Sequence, residues 1–388
     1  MIYIITLLVL LFLVFHYDVN GNTRNRMTMY YILMFWYIAV SGFQYCMGSD
    51  IIIYMNEYND TDWSDLMLDS FVDLNSRQFG WILLSNLCKL LSSDFLLFKI
   101  IQASFVNIVM FVFVKKQTNA IFTSILFYSI FMYFDLNFNI LRQSFAIGFF
   151  LLSFNYFNEN KWLKYYVFVF LALMFHSSAI ILFILPLFKY LKINKVTILI
   201  GFASIVFLLL VIRNLPITDF FITYIPTLFK SDFTDLGDIY LNDENYGQNT
   251  AKLISFLIMV GLYFWVFYTN YKNNLNQSNN DFLLFLIFII FFVLNSSMPI
   301  FTRFNLYFTP FFIYLLSNFI IYFTTQKMSN FKLITLTFFL VLFSFSHING
   351  LFRINANYND KQIIQYYPYY SVFEKKQSPE REQNFGSY

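Results

Sequence analysis

Four side chains set against apolar sequence could do chemistry: two guanidiniums, an imidazole and a carboxylate. Arg142 lies in the run NFNILRQSFAIGFFLLSF (137–154), and no acidic residue follows it until Glu159. An arginine inside a membrane span costs about 2.5–3.5 kcal/mol at the helix centre and less near an end. Either the side chain snorkels to the headgroups, or it lines a polar cavity where its planar fork binds an anion such as phosphate. In the second case Gln143 and Ser144 are neutral donors beside it. Arg303, in SSMPIFTRFNLYF, repeats the pattern, with Pro299 interrupting the backbone before it and no acid nearby in sequence. Two unpaired arginines at one membrane level invite a shared anionic ligand; two unrelated interfacial arginines are the alternative.

His176 is one of three histidines, and LALMF precedes it and SSAIILF follows it. It is either a hydrogen-bonded structural residue or a general base, since imidazole takes and returns a proton near neutral pH. Asp50 follows Gly48 in QYCMGSDIIIYMNEY, and Tyr54 and Tyr58 recur from it at helical spacing. One helix face could then carry a carboxylate and two rings, a combination suited to sugars: rings stack on pyranose faces and acids accept hydroxyl protons. An acidic solvated loop is the bland alternative. The two cysteines, Cys46 and Cys88, have no metal-ligand spacing, which argues against a zinc site and a disulfide framework. No cofactor is expected.

These groups need a scaffold, and composition dictates its kind. Of 388 residues 59% are hydrophobic and 12% charged, about half the charge of a soluble domain. Too few charges exist to cover a water-facing surface, and long apolar runs recur to Phe345, so the chain is an integral membrane protein. The fold class expected is all-α, a polytopic transmembrane bundle of about twelve segments. They lie near 1–17, 28–45, 96–114, 118–135, 142–157, 162–175, 178–190, 196–213, 251–269, 282–299, 305–323 and 331–347. The first is read as a retained helix, because it lacks a basic leader and a small-residue cleavage site. The stretch 79–92 is short and polar enough to be interfacial or re-entrant. Residues 1–348 form the transmembrane domain and 349–388 a tail. A net charge of +3 argues for no nucleic-acid partner.

Lysines and arginines in short loops orient the chain. Arg24, Arg26, Lys115, Lys116, Lys161, Lys164, Lys189, Lys192, Lys195, Lys272, Lys327 and Lys332 form one alternating set, read as cytoplasmic. Acid-rich loops at about 46–78 and 214–250 form the opposite, external set. Parity puts the tail outside too. Basic residues flank the run 165–188 at both ends, so it goes out and returns, breaking at Phe175-His176-Ser177-Ser178 and placing His176 near the outer face. A single tilted span would instead put three lysines outside.

Taken in order, the motifs are an apolar helix pair and then G-S-D-x-x-x-Y (Gly48, Ser49, Asp50, Tyr54). L-R-Q-S-x-A-I (Leu141–Ile147) and F-H-S-S-A (Phe175–Ala179) follow, the latter before an apolar run and Pro186. R-F-x-x-Y-F (Arg303–Phe308) and Y-x-P-Y (Tyr366–Tyr369) complete the set. Over about 1–373 this resembles the EpsG/Wzy group of bacterial polysaccharide polymerases. Gln44 and Gln78 stand where many members carry Arg and Glu. The resemblance implies an inverting, metal-independent glycosyltransferase at the outer face of the bacterial plasma (inner) membrane. Its substrates would be undecaprenyl-diphosphate-linked oligosaccharide repeat units, and its pathway partners a flippase and a chain-length regulator. In that setting Arg142, Arg303 and Gln143 hold diphosphate, His176 or Asp50 takes the acceptor proton, and Tyr54 and Tyr58 meet sugar. A ligase moving the finished glycan and a transporter of the lipid-linked unit are the competing readings. The chain shows no internal repeat of the kind many transporters carry.

Overall fold

The computed structural model describes residues 2–66, 78–191, 250–273, 278–295, 301–325 and 360–376, with isolated positions between 194 and 207 and at 354, 355, 379 and 381. The loop 214–249, the span 331–347, most of 196–213, and Pro299, Lys192, Lys195, Lys327 and Lys332 lie outside the described residues.

The protein is a polytopic helical membrane protein. Its helices are α1 (Ile2–Leu13), α2 (Arg26–Gly42), α3 (Ile51–Asp60), α4 (Phe79–Lys89), α5 (Phe95–Gln117), α6 (Ile121–Phe131), α7 (Leu141–Asn158), α8 (Trp162–Phe175), α9 (Leu185–Phe188), α10 (Thr250–Lys272), α11 (Asn279–Leu294) and α12 (Phe301–Thr325). Ile2–Val19, Phe95–Gln117 and Phe301–Thr325 are long and apolar enough to cross a membrane, and Ile121–Phe131, Trp162–Phe175, Ser177–Phe188 and Asn279–Leu294 are shorter apolar helices. A two-residue ladder pairs Ile354 with Lys361 and Asn355 with Asp360.

Local chemistry explains the ends. Asp94 caps α5 by accepting from the Leu96 amide at 2.9 Å, and Lys115 and Lys116 occupy its last turn, so both termini complement the helix dipole. A capping box between Ser278 and Asp281 starts α11. Helices end where the reading of hydropathy alone ran on. The run 118–135 gives α6 only to Phe131, and a π-helical turn, Asp135–Asn139, then leads into α7. The run 178–190 is a 3-10 helix, Ser177–Ile184, before α9. The expected break is present: α8 stops at Phe175 and His176 is extended, with φ −156° and ψ 127°.

The chain divides into two compact units, residues 1–179 with 320–388, and residues 180–319. In the second, Tyr263 of α10 meets Phe288 and Phe292 of α11 and Phe312 of α12 edge-on, and Asn270 donates to the Leu315 carbonyl at 3.0 Å.

In the first unit, aromatic contacts set helix directions. Phe98, Phe105 and Phe113 of α5 meet Phe145, Phe149 and Phe154 of α7 in the same order, so these helices run parallel. Gly148 permits the approach, because a Cβ there would overlap the Phe105 ring. The hairpin partner α8 runs back along α7, with Phe157 on Tyr165 and Phe145 on Phe175. Antiparallel α2 brings Tyr30 to Phe111 and Gly42 to Ala103. The unit therefore has two ends, about 30 Å apart along α5. A basic end holds Arg26, Lys115, Lys161 and Lys164. There Asp18 ties three elements, accepting from Arg26 at 2.9 Å and from the Thr123 amide at 2.7 Å. The opposite end holds residues 43–50, the turn before α7, and His176.

Candidate functional site

At that opposite end four motifs, distant in sequence, come together. Gly48 has φ +107°, and a Cβ there would overlap the Phe138 carbonyl, so only glycine lets this turn sit on the π-helical turn. The Ser49 amide then donates to Asn139 Oδ1 at 3.1 Å, and the Gly48 amide to the Gln365 carbonyl at 3.0 Å. The tail closes the same corner. Tyr45 donates its amide to Tyr370 and Val372 its amide to Phe43, at 3.0 and 2.9 Å, and Asn139 Nδ2 donates to the Tyr366 hydroxyl. Arg381, fully buried, donates to the carbonyls of Ile364, Cys46 and Pro368. Y-x-P-Y and G-S-D thus lie side by side.

Asp50 starts α3, its main-chain carbonyl accepting from the Tyr54 amide at 3.0 Å, and its Oδ1 accepts from the Ser49 hydroxyl at 2.6 Å. Helix α3 lays Tyr54 and Glu57 against the head of α7. There Arg142 meets the Glu57 carboxylate through Nη2 and the Gln78 Oε1 through Nη1 at 3.1 Å. Its guanidinium lies 5.3 Å from the Trp81 ring centroid and 5.5 Å from that of Tyr54. Arginine and glutamate side chains keep 17% and 20% exposure, so this cluster is reachable. The Nε of Arg142 is buried with no hydrogen-bond partner. A guanidinium carries five N–H donors, and Glu57 and Gln78 engage two of its nitrogens.

The expectation of an unpaired Arg142 is corrected: its acid lies upstream, on α3. Pairing offsets much of the cost of burying either charge alone. Gln143 and Ser144 are fully buried rather than facing the reachable side. Tyr58 is fully buried as well, its ring between Phe95 and Phe98 and its hydroxyl donating to the Ser92 carbonyl at 2.8 Å. Burial pushes that phenol up to about 12, so it stays protonated and donating. No face of Tyr58 is open to a sugar; Tyr54, at 8% exposure, borders the cluster. Gln44, the other departure noted in the sequence, turns inward and accepts from the Met47 amide at 2.9 Å.

His176 joins through packing. Gly80 on α4 approaches so closely that a Cβ there would lie 2.8 Å from Phe175 Cδ2 and 2.9 Å from the Met174 carbonyl. Phe175 stacks on Phe145 of α7 at 4.7 Å. His176 thus sits one residue beyond a contact that α4 and α7 share, and both helices also hold the Arg142 cluster. The Ser178 amide donates to His176 Nδ1 at 3.2 Å, with the Ser178 hydroxyl 2.6 Å from the same nitrogen. The Nδ1 lone pair therefore faces Ser178, and the neutral ring carries its proton on Nε2. Arg303 lies in the first turn of α12, in the second unit, partly buried.

Sequence reading missed a second buried cation. Lys99 of α5 is 1% exposed and donates to Gln102 Oε1 at 2.7 Å and to the Asn137 carbonyl. Gln102 in turn donates to the Leu136 carbonyl at 3.0 Å and to the Ser144 hydroxyl at 2.9 Å. These two side chains satisfy carbonyls that the end of the π-helical turn leaves open and brace both flanks of Arg142. A lysine among phenylalanines in the second turn of an apolar helix was a signal available in FLLFKIIQ (95–102). Among the described residues no three His, Cys, Asp or Glu side chains gather as a metal site.

No curated protein and no solved structure matches the chain. A model of the EpsG family matches residues 27–371, which takes in the Gly48 turn, the Arg142 cluster, His176 and the docked Tyr366–Tyr369 segment, and so the chain belongs to the EpsG family.

Proposed function

We infer that the protein is a polysaccharide polymerase, joining undecaprenyl-diphosphate-linked oligosaccharide repeat units at the outer face of the bacterial plasma membrane. Membership of the EpsG family supports a polymerase-type role acting on a lipid-linked glycan in the membrane. The observation that carries the reading further is the gathering of four separated motifs, with one reachable guanidinium among them, at the end of the first unit opposite Arg26, Lys115, Lys161 and Lys164. The positive-inside bias puts that end outside.

In this reading an acceptor hydroxyl attacks the anomeric carbon of the donor with inversion, and the bond to the lipid diphosphate breaks. Negative charge grows on the leaving diphosphate, where the Arg142 guanidinium stabilises it. Arg303 is a second diphosphate ligand on sequence grounds, and Gln143 supports Arg142 from its buried side. The acceptor proton goes to His176, reached at Nδ1 through the Ser178 hydroxyl, or to Asp50. Tyr54 is the ring at the cluster that contacts sugar, and Tyr58 holds α3 in place. No metal or nucleotide sugar takes part. A flippase delivers the units and a chain-length regulator acts on the product.

Glycan sizing in a deletion strain tests this. Single-repeat glycan should accumulate, and the wild-type gene should restore the ladder; long lipid-linked chains accumulating instead would identify a ligase. His176→Gln keeps hydrogen bonding but exchanges no proton near neutral pH, so it should lower the rate at least 10²-fold, the lower bound for a positioned base. An active His176→Gln enzyme beside an inactive Asp50→Asn enzyme would move the proton acceptor to the Gly48 turn.

A further inference from the structure

We propose that Glu57 is a displaceable counter-ion: it holds Arg142 while the site is empty, yields it to the diphosphate, and takes it back to expel the lipid diphosphate product. The inference rests on the reading of Arg142 as the diphosphate ligand.

Three observations carry it. The pair is at the edge of the unit, with 17% and 20% side-chain exposure, so a ligand can reach both partners. The guanidinium is otherwise held by groups that a ligand need not disturb: Gln78 on one nitrogen and the Trp81 and Tyr54 rings at 5.3 and 5.5 Å. Those rings and the amide preserve its position when the carboxylate leaves. Finally, Glu57 is three residues from the end of α3, whose far end is anchored at the Gly48 turn. Its side chain can swing by rotamer change without moving that anchor.

Physics makes the exchange all-or-none in charge. Opening the pair with nothing in its place leaves two partly buried charges uncompensated, so the open form is the minor one. Opening it against an incoming diphosphate keeps the guanidinium paired, and the carboxylate moves to the exposed side. The fraction of protein with the pair open scales the apparent affinity: a ligand that binds the open form alone is weakened by that fraction. The same competition acts on the product. After transfer the lipid diphosphate no longer carries glycan contacts, and Glu57 competes with it for Arg142 on equal terms. An enzyme that must shed an anionic lipid each cycle thus gains a built-in releasing group, in a step that often limits turnover.

A merely structural ion pair and a displaceable one predict opposite signs. The full-length protein in nanodiscs is titrated with undecaprenyl diphosphate, comparing wild type, Glu57→Gln and Arg142→Met. Glu57→Gln retains the hydrogen bond and loses the charge. It should bind undecaprenyl diphosphate roughly tenfold tighter, the factor expected when about a tenth of the wild-type population is open. Its dissociation should slow to match, with product inhibition rising and donor KM falling together. Glu57→Asp, which keeps the charge at shorter reach, should move in the same direction by less, and serves if the Gln variant does not assemble. Equal or weaker binding in both Glu57 variants, with binding lost in Arg142→Met, would overturn the counter-ion role and leave Arg142 as ligand. Wild type and Arg142→Met binding alike would overturn the diphosphate reading itself, and the counter-ion role with it.

Discussion

Arg142 and Lys99 are both cations at the same end of one helical unit, and the protein treats them differently. Arg142 meets a carboxylate, an amide and two ring faces, and stays partly exposed. Lys99 is sealed at 1% exposure and meets neutral acceptors, the Gln102 amide and the Asn137 carbonyl, with the Phe138 ring 5.8 Å away. The Asn137 carbonyl is part of the backbone and Gln102 is itself held by the Leu136 carbonyl and Ser144, so Lys99 is a tie between α5 and the turn that launches α7. A carboxylate on a side chain can leave, so Arg142 can change partners. On the function proposed above, the contrast separates a cation that builds the site from one that works in it, and charge alone does not make that distinction.

The comparison breaks first at Arg142. Arg142→Lys keeps the charge but loses the planar fork and its flat contact with Trp81 and Tyr54. Polymer formation should fall by about 10²–10³-fold, the range for removing a donor to developing negative charge, with expression and thermal stability unchanged. Full activity in this variant would make Arg142 a tie like Lys99. The reciprocal change is Lys99→Met, which keeps bulk and removes the donor. Each acceptor left unsatisfied costs about 1–3 kcal/mol, and Gln102 Oε1 and the Asn137 carbonyl both lose their lysine. The variant should therefore melt earlier, while the protein that remains folded binds undecaprenyl diphosphate as wild type does. Weaker binding at unchanged stability would assign Lys99 to the ligand rather than to the turn.

The smallest effect concerns labelling, and it decides which end of the comparison faces out. Cys46 and Cys88 are free, buried at 7% and 2% exposure, and burial pushes both thiols up. Wild-type cells should therefore take almost no maleimide, and a cysteine introduced at Asp62 should be labelled without permeabilisation. Labelling at 62 only after permeabilisation would turn the molecule over and put the Arg142 cluster inside.

Much of this was legible without coordinates because it is local. Apolar run length and the lysines of short loops are enough to find most helices and their directions. The break at Phe175–Ser178 shows in a polar triplet between two greasy runs, and Gly48 shows as a turn because it precedes a carboxylate and a helical repeat. Arg142, His176 and Asp50 stand out by type alone. Helix ends at Phe131 and in the 3-10 stretch Ser177–Ile184 did not, since hydropathy continues past them while the α-helical hydrogen-bond pattern does not.

Only packing decided who meets whom. Glu57 looked like one more acid in a solvated loop until α3 turned it onto Arg142. Tyr58 shares a face with Asp50 and Tyr54 by spacing, yet the approach of Phe95 and Phe98 buries it. The tail reads as an appendage, but Arg381 pins it across three carbonyls beside the Gly48 turn, and burial lowers the proton affinity of that guanidinium without removing its charge. Helix formation depends on neighbours three and four residues away, which one sequence displays. The partner of a buried charge is whichever group the folded chain brings within reach, and for Arg142 that group comes from a helix packed against it rather than from its own.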